Sequence, residues 1–317
     1  MSKQGHSVRK TNSLLPRLAI AAGILLVLVG PALVYPIFLM KLMCFAVLAA
    51  SLNLLLGYVG LLSFGHAMFF GSAAYVCAHA VKVWGWDVSL GILAGVATAA
   101  ALAAITGLLA IRRQGIAFSM ITLAFAQLVY FVALRAPFTG GEDGIQNVPR
   151  RPLFGLIDIN DNLVLYYTVL VIALFAFWLV YRIVHSPFGQ VLKAIRDNER
   201  RALSLGYKVH RYKLLAFVLS AALAGLAGAT KVLIFQIATL TDVGFGVSGE
   251  AVLMIAVGGI QTMLGPLAGA AVIVTMQNYL AGFAEWVVIF QGLVFVVVVL
   301  LFRRGIVGEY QDWRRRK

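Results

Sequence analysis

Residues 249–283 read GEAVLMIAVGGIQTMLGPLAGAAVIVTMQNYLAGF, a stretch in which Glu250 is the only charged side chain. Whether it forms one long helix or two short ones decides the fold, because the choice sets the parity of membrane crossings and so the side on which the C-terminal tail emerges. Proline cannot continue a helical hydrogen-bond ladder without cost, and Pro266 preceded by Gly265 supplies a break. Positive loops are retained in the cytoplasm. One long helix would send Arg303, Arg304 and the basic 314–317 run to the side opposite the other basic segments. Two short spans, 249–264 and 266–283, joined by a tight cytoplasmic turn, satisfy both constraints.

Outward from this stretch, eight further apolar segments lie at about 18–37, 38–57, 60–81, 88–111, 114–136, 162–183, 212–236 and 285–302, which makes about ten transmembrane helices. A span needs about 20 apolar residues. Of the 317 residues, 62% are hydrophobic and 12% are charged, about half the usual charged share. An ordinary soluble globule is excluded. The expected fold class is all-α, a polytopic membrane protein forming a single transmembrane domain over 1–317 with N- and C-termini cytoplasmic, and the bilayer as its first partner.

The net charge of +14 is then a topological signal and not a nucleic-acid surface. Twenty of the 26 Lys and Arg residues fall on one side: in the tail 1–17, at Arg112 and Arg113, between positions 182 and 213, and in the basic tail 303–317. Lys41, Lys82, Arg135, Arg150, Arg151 and Lys231 depart from that pattern. The opposite side, including the external loop 137–161, carries Glu142, Asp143, Asp158 and Asp161. The first segment follows Lys3, Arg9, Lys10 and Arg17 and reads as an uncleaved anchor, since no small-x-small cleavage site follows it. The pairs Gly91 and Gly95, Ala221 and Gly225, Ala224 and Gly228, and Gly265 and Gly269 predict close helix packing. Cys44 and Cys77, both inside apolar segments, read as packing residues and not as a disulfide or metal pair.

Motifs that carry chemistry are few. There is no G-x-x-x-x-G-K-[ST] phosphate loop, no H-E-x-x-H and no C-x-x-C, so no cofactor is expected on this chain. One G-x-G-x-x-G occurs at Gly244, Gly246 and Gly249, but it follows an apolar span and not a strand. An external loop leading into a helix capped by Ser248 is expected there, with Glu250 near the positive end of the helix dipole. Lys41, Lys231, Glu250 and Glu285 all lie near span ends, whereas an ion-coupled transporter would hold such groups deep in the bilayer. His79 reads as packing or pore lining. Asn53, Ser63, His66, Thr122 and Gln127 are polar positions suited to line a translocation path, with helix-to-helix hydrogen bonds as the competing use.

The cytoplasmic segment 184–211 is the most informative water-facing piece. Ser186 and Pro187 signal a helix start and Gly206 a stop. Phe188, Val191, Leu192 and Ile195 recur at i, i+3, i+4 and i+7, with Lys193, Arg196, Asp197, Arg200 and Arg201 on the remaining face. Such a short amphipathic helix either lies on lipid headgroups or acts as a lever that inserts its apolar side into a groove on a soluble partner.

Five runs in register resemble one family. Residues 52–66 (LNLLLGYVGLLSFGH), 139–145 (TGGEDGI), 194–199 (AIRDNE), 211–217 (RYKLLAF) and 248–251 (SGEA) are similar to those of LivM-type permeases, the membrane subunits of branched-chain amino acid ABC importers. The resemblance implies that 187–206 is the coupling helix docked on a separate ATPase. The coupling residues would be Phe188, Gly189, Leu192, Ala194, Ile195, Arg196, Asn198, Glu199, Ala202 and Gly206. Ala202 and Gly206 fit the end of the E-A-A-x-x-x-G pattern of such importers, while Arg200 and Arg201 replace its first two residues. Thr139, Gly140, Gly141, Glu142, Asp143 and Gly144 would form an external loop. It further implies a homologous, LivH-like second permease, two ATPase subunits that carry the ATP, a periplasmic solute-binding protein, and the bacterial inner membrane. Related permeases for urea, short amides and aromatic acids leave the solute open. An ion-coupled secondary transporter and a membrane-embedded enzyme are the readings from other classes.

Overall fold

The computed structural model describes residues 30–31, 34–153, 155, 158–280, 286–301 and 304–316. The expected first span falls largely at 18–29, outside the described residues. The described part is helical, with no strand; one isolated antiparallel bridge joins Ile145 to Ala238. In chain order the helices are α1 (Pro36–Val59), α2 (His66–Lys82), α3 (Val88–Ala110), α4 (Ile116–Arg135), α5 (Asn162–His185), α6 (Pro187–Asp197), α7 (Glu199–Ser204), α8 (Val209–Phe235), α9 (Phe245–Gly258), α10 (Gly265–Tyr279), α11 (Trp286–Leu301) and α12 (Gly305–Arg316).

Five of these, α1, α3, α4, α5 and α8, are long and apolar enough to cross a bilayer. Their environments differ. In α1 and α8, 89% and 72% of the most apolar window is buried within the protein, against 33%, 28% and 39% in α3, α4 and α5. The first two are therefore the axis of the bundle, and the other three form a wall whose outer faces are left for lipid. α8 packs on α1, α2 and α3, while α1 also meets α5 and the hairpin of α9 and α10.

Close packing needs small residues, because between apolar helices in lipid there is little hydrophobic drive and contact must come from backbone approach. The predicted glycine pairs sit at such contacts. A Cβ added to Gly225 would lie 2.5 Å from that of Ala99, and one on Gly95 would lie 2.7 Å from the Ala73 carbonyl oxygen. On Gly228 or Gly269 it would collide outright, with the carbonyl oxygens of Phe70 and Met254 respectively. Cys44 and Cys77 are free and buried, with the Cys44 thiol donating to the Ala227 carbonyl at 2.9 Å.

Several boundaries move, among them the start of α2, which lies at His66 and not at position 60. α1 starts at Pro36 and not after position 37, since proline at the first helical position begins a helix at no hydrogen-bond cost. The same logic corrects the 249–283 stretch. It does form two short helices, of 14 and 15 residues, but Pro266 opens α10 and the reversal sits earlier, at 259–264, where Gly259 and Gln261 take φ of 120° and 69°. At 1.5 Å per residue these helices are about 21 and 22 Å long, short of a hydrocarbon core of about 30 Å. Glu250 is also corrected. Gly244 is the N-cap of α9, and Glu250 lies in its second turn, within reach of the Gln277 side chain and the charge of Lys41.

Four of the six cations that break the charge pattern, Lys82, Arg150, Arg151 and Lys231, have local partners. Arg150 donates to the carbonyls of Leu233 and Ile234 at 3.2 and 3.0 Å, at the C-terminus of α8. Arg151 donates to Gly85 O just past α2, and Lys82 to Gln146 O. Lys231 pairs with Asp242, and Arg135 stands in the last turn of α4. Unpaired carbonyls at helix C-termini attract cations, which accounts for the position of Arg150.

Candidate coupling site and buried polar break

Two regions hold the residues singled out in the sequence. The first is the segment that follows α5. Ser186 caps α6 by accepting from Gly189 N at 3.2 Å, and Gly189 itself is required because a side chain there would strike the carbonyls of Ile183 and Val184. α6 is amphipathic as predicted, but its apolar side is already occupied. Leu192 and Ile195 are buried, Phe188 stacks on Tyr212 with ring centroids 5.6 Å apart, and Ile195 forms a small cluster with Ala202 and Val209. The expectation that this side inserts into a partner is thus corrected. Apolar burial fastens α6 and α7 to the membrane bundle, and the outward surface includes Ala194, Asp197, Asn198, Arg200, Leu203 and Leu205.

Polar contacts reinforce the fastening. Asn198 caps α7 by accepting from Arg201 N at 3.0 Å. Glu199 pairs with Lys213 of α8 at 2.6 Å, with the lysine 3% and the glutamate 17% exposed. Gly206 ends α7 at φ 84°, open to solvent, so its requirement is conformational and not one of space. Arg196 reaches the other way, donating from Nη1 to the Gly57 carbonyl at 2.7 Å, where α1 ends, and from Nε and Nη2 to Asp197. Beside it a cleft of about 390 Å³ opens between Gly60, Gln114, Asp197, Asn198, Arg200 and Lys213.

The end of α1 is in turn tied to the α9–α10 reversal. Asn53 donates to Thr262 O at 3.0 Å and accepts from Gln261 N at 3.2 Å, while the Tyr58 hydroxyl donates to Gln261 O at 3.1 Å. Asn53 is therefore a tether and not a path residue. Asn53→Leu would leave the buried Thr262 carbonyl unpaired, worth about 1–3 kcal/mol, and the part-buried Gln261 N–H with it, and is expected to lower the unfolding temperature of the detergent-solubilised protein by several degrees in a thermal-shift measurement.

The second region is the non-helical break 60–65 between α1 and α2. Irregular backbone at membrane depth is tolerated only where its polar groups find partners, and here hydroxyls from three elements supply them. Ser63 Oγ accepts from Gly65 N at 3.2 Å, Thr122 Oγ1 accepts from Phe64 N at 3.3 Å, Ser119 Oγ donates to Leu62 O at 2.7 Å, and Ser248 Oγ accepts from Ala67 N at 2.8 Å. Ser248 is thus a cap, but of α2 and not of its own helix. His66, fully buried, meets the Ser220 hydroxyl at 2.8 Å. Because that hydroxyl donates to Ser51 O at 2.6 Å, His66 Nε2 carries the proton, and its Nδ1 is left without a partner among the described residues. Ser63, His66 and Thr122 are brought together around this break. Gln127 is not: it is exposed on α4. His79 stacks on Phe138 at 3.9 Å, at the opposite end of the bundle.

At that opposite end, Thr139 donates to the carbonyls of Ala133 and Ala136, and Gly140, Gly141 and Gly144 all take positive φ. The turn delivers Ile145 to its bridge with Ala238 and leaves Glu142 and Asp143 exposed. Among the described residues no His, Cys, Asp and Glu cluster could hold a metal ion. Sequence reasoning missed the roles of Ser119, Ser220 and Lys213; the two serines are legible as polar groups in apolar runs, but the partner of each of the three lies on another element.

Residues 35–299 match the family described as branched-chain amino acid transport system, permease component. The high-affinity branched-chain amino acid transport system permease protein LivM of Escherichia coli strain K12 is 26% identical over 291 residues, covering 83% of this chain and 68% of its own length. The autoinducer 2 import system permease protein LsrC of Klebsiella pneumoniae is 27% identical over 258 residues, 73% of this chain and 69% of its own. The ribose import permease protein RbsC of Bacillus subtilis is 32% identical over 141 residues, 41% of this chain and 43% of its own. No solved structure matches the chain.

Proposed function

The chain belongs to the family of permease components of branched-chain amino acid transport systems, as a LivM-type protein of the inner membrane, and from that premise we propose that it forms half of the pathway of an ATP-driven importer for aliphatic amino acids. Its counterparts would be a LivH-like second permease, two ATPase subunits that hold the ATP, and a periplasmic solute-binding protein. Relatives named for ribose and for autoinducer 2 import mean that family likeness does not choose the solute, and urea, amides and aromatic acids are the competing cargoes.

One observation carries the coupling assignment. The α6–α7 segment is held to the bundle by its apolar side and by Arg196, and presents the rest of its surface beside an open cleft. An ATPase element entering that cleft would meet Asp197, Asn198 and Arg200 directly. Its push would pass through Arg196 to the end of α1, and through Asn53 and Tyr58 to the reversal between α9 and α10. Those two helices, of 14 and 15 residues, are too short to span the hydrocarbon core. On α9, a Cβ added to Gly246 or Gly249 would meet nothing within 4 Å beyond its own stretch of helix among the described residues, and Phe245 of the same helix meets Phe64 of the break with centroids 5.6 Å apart. This uncovered face fits the wall of the path against the second permease. At the far end, exposed Glu142 and Asp143 are suited to receive the solute-binding protein.

Arg196→Gln tests the route. A hydrogen bond from a charged donor is worth about 1.5–3 kcal/mol, so uptake by the reconstituted complex is expected to fall roughly ten- to hundredfold while ATP hydrolysis continues. Purification of the tagged chain in mild detergent with mass-spectrometric identification of its companions tests the assembly. Uptake that collapses with a protonophore at constant ATP would overturn the ATP-driven reading.

A further inference from the structure

At the same end of the bundle as α6, a cleft of about 520 Å³ lies between the C-terminus of α3 and the first turn of α8. It is lined by the basic side chains of Arg112, His210 and Arg211 and by the apolar ones of Leu108, Ile111 and Leu214. Arg112, His210 and Arg211 are exposed, and among the described residues none of the three has an acidic partner within ion-pairing distance. That contrasts with the out-of-place cations at the other end, every one of which except Arg135 and Lys41 is engaged by a carbonyl or a carboxylate.

We propose that this cleft binds an anionic phospholipid, with the phosphodiester between Arg112 and Arg211 and the acyl chain lying along the outer face of α3 and α8. Charge complementarity names the headgroup; continuity names the rest of the molecule. Ile105, Leu108 and Leu109 on α3 and Leu215 on α8 are all more than half exposed, so an apolar strip runs from the cleft into the hydrocarbon region. A free phosphate would gain nothing from that strip, and an acidic protein surface could not follow it into the bilayer. Basic pockets between membrane helices at the cytoplasmic boundary are suited to phospholipid headgroups for the same reason. The position also gives such a lipid a consequence. His210 and Arg211 follow Val209, which packs on Ile195 and Ala202, so a bound headgroup would brace the first turn of α8 on which α6 and α7 rest. The inference takes the α6 end as the cytoplasmic face and is otherwise independent of the solute.

The test uses the full chain, purified with its companion subunits in mild detergent and exchanged against mixed micelles containing phosphatidylglycerol or phosphatidylcholine, with retained lipid counted by native mass spectrometry. Each surface cation contributes roughly fivefold to anionic-lipid affinity, so the Arg112→Gln, Arg211→Gln double variant is expected to retain about 25-fold less phosphatidylglycerol with phosphatidylcholine unchanged. Both side chains are exposed, so folding is expected to survive, and size-exclusion elution checks it. Equal retention of the two lipids by the unaltered protein would overturn the proposal. So would displacement of phosphatidylglycerol by millimolar inorganic phosphate, which would make the cleft a phosphate site. A double variant that keeps its lipid but sheds its companion subunits would mark an acidic protein surface as the occupant and overturn it equally.

Discussion

Gly228→Val is expected to yield no monodisperse protein in the membrane fraction. Gly228 stands on α8 where that helix crosses α2, and even a methyl group there would collide with the Phe70 carbonyl oxygen. The obstacle is backbone that belongs to the α2 hydrogen-bond ladder, so no rotamer change relieves it. Overpacking a core costs about 1–3 kcal/mol when side chains can shift, and here the two helix axes must separate instead. Separation would propagate, because α2 begins at the break whose backbone is held by Ser63, Thr122 and Ser248. The control is Gly246→Val on α9, where among the described residues the added Cβ meets nothing within 4 Å beyond its own stretch of helix. Fluorescence-detected size-exclusion of the two variants, expressed as fusions, should show a normal peak for the second and aggregate for the first. A normal peak for Gly228→Val would mean that α8 and α2 do not cross as described.

Much of this architecture could be read before any coordinates, for identifiable reasons. Apolar length and the Lys and Arg bias are local properties, so the long spans and the two ends of the bundle followed from them. The small-residue pairs named the helix crossings because only small residues allow them. What could not be read was the assignment of polar partners. Ser248 looked like the cap of its own helix because capping is ordinarily a local event, yet it serves α2, 181 positions away. Asn53 looked like a lining residue because it is polar in an apolar run, but its two bonds go to a turn more than 200 positions later. The apolar stripe of α6 was legible as a stripe; what covered it was not, since periodicity records that a face is buried and says nothing of the surface that buries it. The break 60–65 was hidden for a related reason: Leu61, Leu62 and Phe64 keep the hydropathy high where the chain is not helical.

Lys213→Met is expected to uncouple transport while the protein still assembles. Lys213 and Glu199 are joined at 2.6 Å and nearly withdrawn from water. Removing one partner of a buried pair costs about 3–5 kcal/mol, because the remaining charge is stranded. Glu199 retains some exposure, so the lower end applies, and about 3 kcal/mol is roughly a hundredfold shift in an equilibrium. The equilibrium at stake is the seating of α7 on α8, since beyond this pair α7 is held by the Ala202 cluster and its Asn198 cap. With α7 unseated, the α6–α7 lever would give instead of transmitting. Uptake in proteoliposomes is expected to drop on the order of a hundredfold, with ATP hydrolysis by the companion subunits retained. The double variant Lys213→Met, Glu199→Met decides the cause. Replacing both members of a buried pair with apolar groups is often neutral or stabilising, so it should recover most of the uptake. If the double variant is as defective as the single one, the lysine acts through something other than this pair. If hydrolysis falls in step with uptake, the segment governs docking of the ATPase and not transmission of its stroke.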